Sequence, residues 1–430
     1  MIPLLTLLAS GVGGVLLSRW MLGGWVNHLS IYSVTWSISL FAYQLGLIAY
    51  NPICTEAWLY IAVAWMSVFL GAALVVLAKR EHDGGPAIMP EFNPNYLRIP
   101  IIVLSLLGTV SLIQQIRQMQ AEFGGVLSVL LLSPNEIYAR RFEGELGGVP
   151  YLFFLGVPAT CLAGAYTARV KKITVTALLP LLWAFAGAVI SMQRAGVLIA
   201  APLFAYAYIF SPRSQRFTVS KRGVMVLVLV VLLLFGFFIL IGSHRGSYQY
   251  HAGQARALST ISDYASGFPS LYLYVSMAAP TFSQYLMHPE VDTYSFFASN
   301  TFAPVWRLLA KLGFRTYVPY YTPFYHTPEE GNQGTYLAYI HADFGPAGVV
   351  LVPCILSAVL TFFSLQNSQT FRMSRLMMYV NLLVVVTFSF SGWDVGPTYW
   401  FTSFVLSALL GWWIDMMVDR QHHNAVSATA

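Results

Sequence analysis

Eleven long runs of apolar residues punctuate this chain, and they restrict its fold more than any other feature. They lie near 2–18, 30–49, 58–78, 99–116, 150–168, 173–191, 195–210, 223–242, 336–365, 376–390 and 397–418. A helix rises about 1.5 Å per residue, so roughly 20 apolar residues cross a hydrocarbon layer about 30 Å thick. Within lipid the backbone must satisfy its own hydrogen bonds, which makes helices the form for such runs. Composition agrees, since 57% of the 430 residues are hydrophobic and only 9% are charged. Soluble domains carry about 25% charged residues, so a water-soluble enzyme is excluded. The expected fold is an all-α polytopic membrane protein, one integral domain over 1–430 with about eleven transmembrane helices. Of the eleven, 195–210 is short for a span; the first, whose earliest charge is Arg19, reads as a retained span rather than a signal peptide.

Charge distribution then sets the expected orientation. Fourteen of the 23 basic residues fall in one set of short connections: Arg19, Lys79, Arg80 and Arg98, the groups 169–172, 213–222 and 372–375, and Arg420. The opposite set holds nine, five of them in one very long loop that the positive-inside rule discounts. The N-terminus is therefore expected outside and the C-terminus in the cytoplasm. The net charge of +6 reflects this bias and does not imply nucleic-acid binding. Cys54, Cys161 and Cys354 are far apart, without metal or disulfide spacing.

Two connections on the external side are unusual. The first, 118–149, contains Val126–Leu132, apolar but too short to cross, followed by Arg140 and Arg141. The second, 243–334, holds eleven Tyr, seven Phe, Trp306 and seven Pro, a composition too aromatic for a disordered linker. Its stretches 270–287 and 295–315 mix apolar, aromatic and basic residues as helices on a membrane surface do. An ordered external cap is expected.

Chemistry on that side would fall to three groups. Eight of its nine cations are arginines, and arginine forms planar, bidentate bonds to phosphate while keeping its charge in a low dielectric. Arg194, in a tight turn before Ala195 and Gly196, and Arg245, beside Gly242 and Gly246, sit at membrane level among small residues. A charge there is functional, or it snorkels to the interface. The stretch 326–348 adds His326, Glu329, Glu330, His341 and Asp343 as proton acceptors. Asp343 could equally cap or orient a helix end, and Gly345 and Gly348 could permit close packing. Aromatics of the long loop fit an interfacial belt or a surface for sugar rings. No Asp-x-Asp pair and no Gly-x-x-x-x-Gly-Lys-Ser/Thr loop occurs, so a metal-bound nucleotide sugar or ATP is not expected as donor. No cofactor or metal is expected.

This layout resembles the oligosaccharide repeat-unit polymerases, the O-antigen polymerase (Wzy-type) family. The similarity rests on about eleven spans, one large outer loop late in the chain, arginines flanked by small residues, and the closing stretches 332–337 and 343–348 that lead into the next span. The resemblance implies a GT-C-like glycosyltransferase on the periplasmic face of the bacterial inner membrane. Its substrate would be an oligosaccharide on undecaprenyl diphosphate, with a flippase and a chain-length regulator as partners. Under it, Arg194 and Arg245 would hold the donor diphosphate and Arg140 and Arg141 the acceptor's. His326, Glu329, Glu330 or Asp343 would act as base. Related O-antigen ligases use a histidine in the corresponding loop, and neither His326 nor His341 stands in a clear ligase pattern. An O-antigen ligase and a lipid-linked oligosaccharide flippase are the alternatives.

Overall fold

The computed structural model describes residues 4–79, 93–133, 135–137, 140, 152–191, 195–211, 236, 256–264, 267–292, 296–314, 323–327, 330–331, 334–392 and 398–427. The first helices are α1 (Leu4–Leu22), α2 (His28–Gln44), α3 (Thr55–Ala78), α4 (Asn95–Phe123), α5 (Val126–Leu132), α6 (Gly156–Val170), α7 (Val175–Ile190) and α8 (Ala195–Ile209). They are followed by α9 (Arg256–Tyr264), α10 (Phe268–Ser276), α11 (Ala278–Met287) and α12 (Ala303–Lys311). The last are α13 (Tyr336–Gln369), α14 (Met373–Phe388) and α15 (Thr398–Ser427). A two-residue antiparallel pair, β1 (Tyr325–His326) and β2 (Glu330–Gly331), is the only sheet among the described residues.

Among the described residues, five helices are long and apolar enough to cross a membrane: α1, α3, α4, α13 and the part of α15 from Trp400 to Gln421. Helices α7, α8 and α14 are shorter and apolar, and the expected span 223–242 lies, apart from Gly236, outside the described residues. Helix α3 illustrates the membrane character. Its outward stripe is Leu59, Met66, Leu70, Leu74 and Leu77, each more than half exposed, while its buried stripe is Ala57, Ile61, Ala64, Val68 and Ala72. Water would drive the leucines inward. Lipid removes that preference, and small residues on the inner face let helices approach closely.

The chain forms two compact units. The first comprises Met1–Asp83, Gln249–Ser364 and Val385–Phe401. Helix α2 starts from a capping box, with Asn27 Oδ1 accepting from Ser30 N and Ser30 Oγ accepting from Asn27 N, both at 3.0 Å. The described part of the 243–334 loop is largely helical and stitched to the end of α2 and the α2–α3 connection. Tyr272 donates to Ala42 O at 2.5 Å, Cys54 N donates to Ser283 Oγ at 2.9 Å, and Asn51 N donates to Thr327 O at 2.8 Å. These bonds hold an ordered layer, as expected from its aromatic content.

The expected single span over 336–365 is broken. Gly345 has φ 63° and ψ −159°, a region essentially confined to glycine, and Pro346 follows it. A Cβ on Gly348 would lie 2.5 Å from Ile340 O, although eight residues of straight helix cover about 12 Å. Tyr336 and Pro353 line one small cavity, whereas continuous helix would separate them by about 25 Å. The short arm, 336–344, therefore lies back along the long arm, 346–369. Helix α2 contacts both. His28 Nε2 lies 3.2 Å from the hydroxyls of Ser357 and Thr361, and the Tyr32 and Tyr336 hydroxyls are 3.1 Å apart. One turn further on, Trp36 Nε1 donates to Ser389 Oγ at 2.9 Å, and Ser389 O accepts from Tyr336 N at 2.9 Å.

The second unit comprises Gly84–Tyr248, Leu365–Val384 and Thr402–Ala430. Leu112 of α4, Trp183 and Ala184 of α7 and Ala200 of α8 form one of its apolar clusters. The short apolar stretch 126–132 is helix α5, with Val129 packed against Met119 and Ile137. Asp415 caps α14, its carboxylate accepting from Met373 N at 2.7 Å, Ser374 N at 3.1 Å and Ser374 Oγ at 2.6 Å.

Candidate functional site

In the first unit the short arm of α13 forms the floor of a small recess of about 10 Å³, room for about one water molecule. Ala338 and Ala342 line it from one helix face, four residues apart, and Gly334 lines it from just before the helix. Three separate segments line its other side: Tyr285 from α11, Asp292 and Asn300 from the α11–α12 connection, and Tyr325 from β1. The two tyrosine rings meet edge to face, with centroids 6.2 Å apart.

Electrostatics keep both phenols protonated. Burial first, and then the Asp292 and Asp343 carboxylates, push the Tyr285 hydroxyl well above the usual tyrosine range. Burial and Asp292 do the same for Tyr325. Both therefore act as neutral O–H groups able to donate and accept. Behind the wall the Tyr285 hydroxyl lies 3.0 Å from His341 Nδ1, and the His341 ring also meets Tyr60, with centroids 5.3 Å apart.

Asp343 holds this arrangement. Its Oδ1 accepts from Asn300 N at 2.8 Å, Asn300 Nδ2 at 3.0 Å and Ser299 Oγ at 3.3 Å, while Oδ2 accepts from Thr301 N at 2.6 Å. Ala298 N also reaches Asp343 O at 3.4 Å. The carboxylate thus fixes the turn that presents Asn300 to the recess and leads into α12, the orienting role its position allows.

His326 is exposed on β1, and the strand register pairs it with Glu330. Two acceptors singled out from the sequence are therefore cross-strand neighbours, close to Tyr325. Arg140 belongs to the second unit. Its guanidinium bonds Glu122 at 3.2 Å and Glu136 at 3.3 Å and lies 5.2 Å from the Phe123 ring centroid, so a phosphate there would compete with two carboxylates. Arg141, Arg194, Arg245 and Glu329 lie outside the described residues. Among the described residues no cluster of three or more His, Cys, Asp or Glu is arranged to hold a metal.

Tyr285, Asp292, Asn300 and Tyr325 are the residues that sequence reasoning did not single out. Their signal was collective, an aromatic-rich loop with a surface suited to sugar rings, and nothing local separated these tyrosines from their neighbours. Comparison with protein-family models, curated proteins and solved structures returns no match.

Proposed function

We propose that this chain is a GT-C-like glycosyltransferase that polymerises undecaprenyl-diphosphate-linked oligosaccharide repeat units on the periplasmic face of the bacterial inner membrane. In this reading eleven helices cross the bilayer and the recess opens on the outer side. A hydroxyl of the incoming unit's terminal sugar attacks the anomeric carbon of the growing glycan. The glycosidic bond forms, the bond to diphosphate breaks, and undecaprenyl diphosphate leaves. Arg194 and Arg245 stabilise the charge developing on that leaving group, as preorganised cations do; of the two arginines proposed for the acceptor's diphosphate, Arg140 is engaged by Glu122 and Glu136, which favours Arg141. The acceptor proton passes to a base among His326, Glu329, Glu330 and Asp343. The donors already on both Asp343 oxygens favour the three on the 326–330 segment.

The observation that supports this reading is the recess. Tyrosine, asparagine and aspartate residues of the aromatic-rich loop line it beside small residues, residue types that also serve carbohydrate recognition. The decisive experiment is reconstitution of the purified chain with a defined lipid-linked repeat unit, followed by product sizing. A ladder of extended chains is expected; single units alone would remove the proposal.

A second reading, a lipid-linked oligosaccharide flippase, is favoured by one observation. Transporters commonly use discontinuous helices with polar groups near the bilayer midplane, and the broken α13 beside His28 has that form. Cells lacking the protein separate the two. Single units accumulate outside if a polymerase is missing and on the cytoplasmic side if a flippase is missing.

A further inference from the structure

Helix α12 turns its apolar residues outward. Val305 and Leu308, with Leu312 at its C-cap, are spaced by three and four residues and share one face; they are 42%, 59% and 65% exposed. The opposite face is the packed one. Ala303 is buried, and Trp306 meets the Phe296 ring edge to face, with centroids 5.1 Å apart. Phe302, just before the helix, and Phe314, just after it, are also exposed. Helix α11 of the same loop behaves differently, with every residue from Ala278 to Tyr285 buried. Water would turn the α12 leucines inward.

The start of α12 is fixed at the boundary of a membrane span. Residues 346–365 of the long arm of α13 cover about 30 Å, the thickness of a hydrocarbon layer, and the polar residues Gln366, Asn367, Ser368 and Gln369 follow at the far end. In a bilayer Gly345 therefore stands where that arm leaves the lipid. Two residues before it, the Asp343 carboxylate accepts from Asn300 N and Thr301 N and its carbonyl from Ala298 N, which ties the lead-in to α12 to that level. Phe297, 72% exposed, packs edge to face on Phe344 beside the break, with centroids 5.4 Å apart. Beyond the break begins the outward stripe of the arm, Leu351, Ile355, Val359 and Phe362. Helix α12 carries Arg307 and Lys311 and no carboxylate, the charge that phosphate headgroups attract. We propose that α12 lies in the plane of the membrane, with Val305, Leu308 and Leu312 sunk into a phospholipid leaflet and Lys311 at its headgroups. So placed, α12 sets the depth of the Asn300 turn and of the α13 break, whether or not the chain transfers glycans.

Spin labels measure that depth in the full chain. Leu308→Cys, Leu312→Cys and, on the long arm, Ile355→Cys are made singly; all three positions are more than half exposed, so no packing is lost. The parent, whose own cysteines are buried or half-buried, supplies the background. Each chain is labelled and inserted in vesicles of phosphatidylethanolamine and phosphatidylglycerol. Collisions are then measured with oxygen, which concentrates in lipid, and with a water-soluble nickel chelate. The label at Ile355, about 15 Å along the arm from Gly345, should report the bilayer centre. Labels at 308 and 312 should lie about 5–10 Å below the headgroups and favour oxygen over nickel. Collisions dominated by nickel at 308 and 312 would place this face in water. Protection from both reagents would place it against protein, whether a second copy or another chain. A shallow label at Ile355 would remove the boundary on which the placement rests. Each of these three results would overturn the proposal.

Discussion

Replacing Gly345 by alanine tests the break in α13 through the sign of its effect. A Cβ at Gly345 meets nothing within 4 Å, so no collision is introduced and the whole penalty is conformational. With φ at 63° and ψ at −159°, that penalty is about 1–3 kcal/mol. Its midpoint, about 2 kcal/mol, changes the folded-to-unfolded ratio roughly 30-fold. Gly348→Ala should also destabilise, by about 1–3 kcal/mol, through a different cause: its Cβ would stand 2.5 Å from Ile340 O and 2.8 Å from Phe344 Cβ, and backbone cannot move aside as a side-chain tip can. If α13 were continuous, both positions would be ordinary helix interior, where alanine is better than glycine by about 1 kcal/mol. The two geometries therefore predict opposite signs. Equilibrium unfolding of the detergent-solubilised protein, followed by tryptophan fluorescence, reads the difference. Both variants matching or exceeding the parent's stability would refute the folded-back arm.

Three further outcomes follow from the described contacts. Asp343→Ala leaves Asn300 N and Thr301 N without their acceptor and should lower stability by about 1–3 kcal/mol for each donor left unpaired; Asp343→Asn should rescue little, because its amide would face the Thr301 N–H now only 2.6 Å from Oδ2. Tyr285 and Tyr325 ionise at higher pH in the folded chain than in the unfolded one, so their contribution is complete below about pH 10 and is lost as pH rises further. Alkaline unfolding curves should flatten in Tyr285→Phe and Tyr325→Phe, and curves that superimpose on the parent's would contradict this burial. Arg194→Lys and Arg245→Lys should each shorten the polymer strongly at normal protein levels, since lysine keeps the charge and loses the bidentate fork; full-length polymer in both would take these residues out of the proposed site.

Hydropathy located most helices to within a few residues because lipid-facing stretches must be apolar along their whole length. Val126–Leu132 is too short to cross, as its sequence predicts, and forms a seven-residue helix. The break at Gly345 stayed hidden for the same reason. Residues on both sides of it are apolar, so the run reads as one span, and Gly345 with Gly348 reads as a close-packing device, which describes Gly348 better than Gly345. Asp343 carried two readings that only its partners could separate, and those partners lie about 40 residues earlier in the chain. The recess was least legible. Eleven tyrosines share the long loop, and which of them turn inward is decided by tertiary packing. His28 gave no warning either, being a lone imidazole at the edge of an apolar run.

Asp343 stands two residues before the Gly345 break, and its carboxylate grips the turn that carries Asn300. Any swing of the 336–344 segment about that break must drag one jaw of the recess with it, so the pivot and the mouth are geared together. A guest wedged between the jaws would, by the same gearing, lock the pivot, and binding would be felt as a stiffening of α13 well away from the guest.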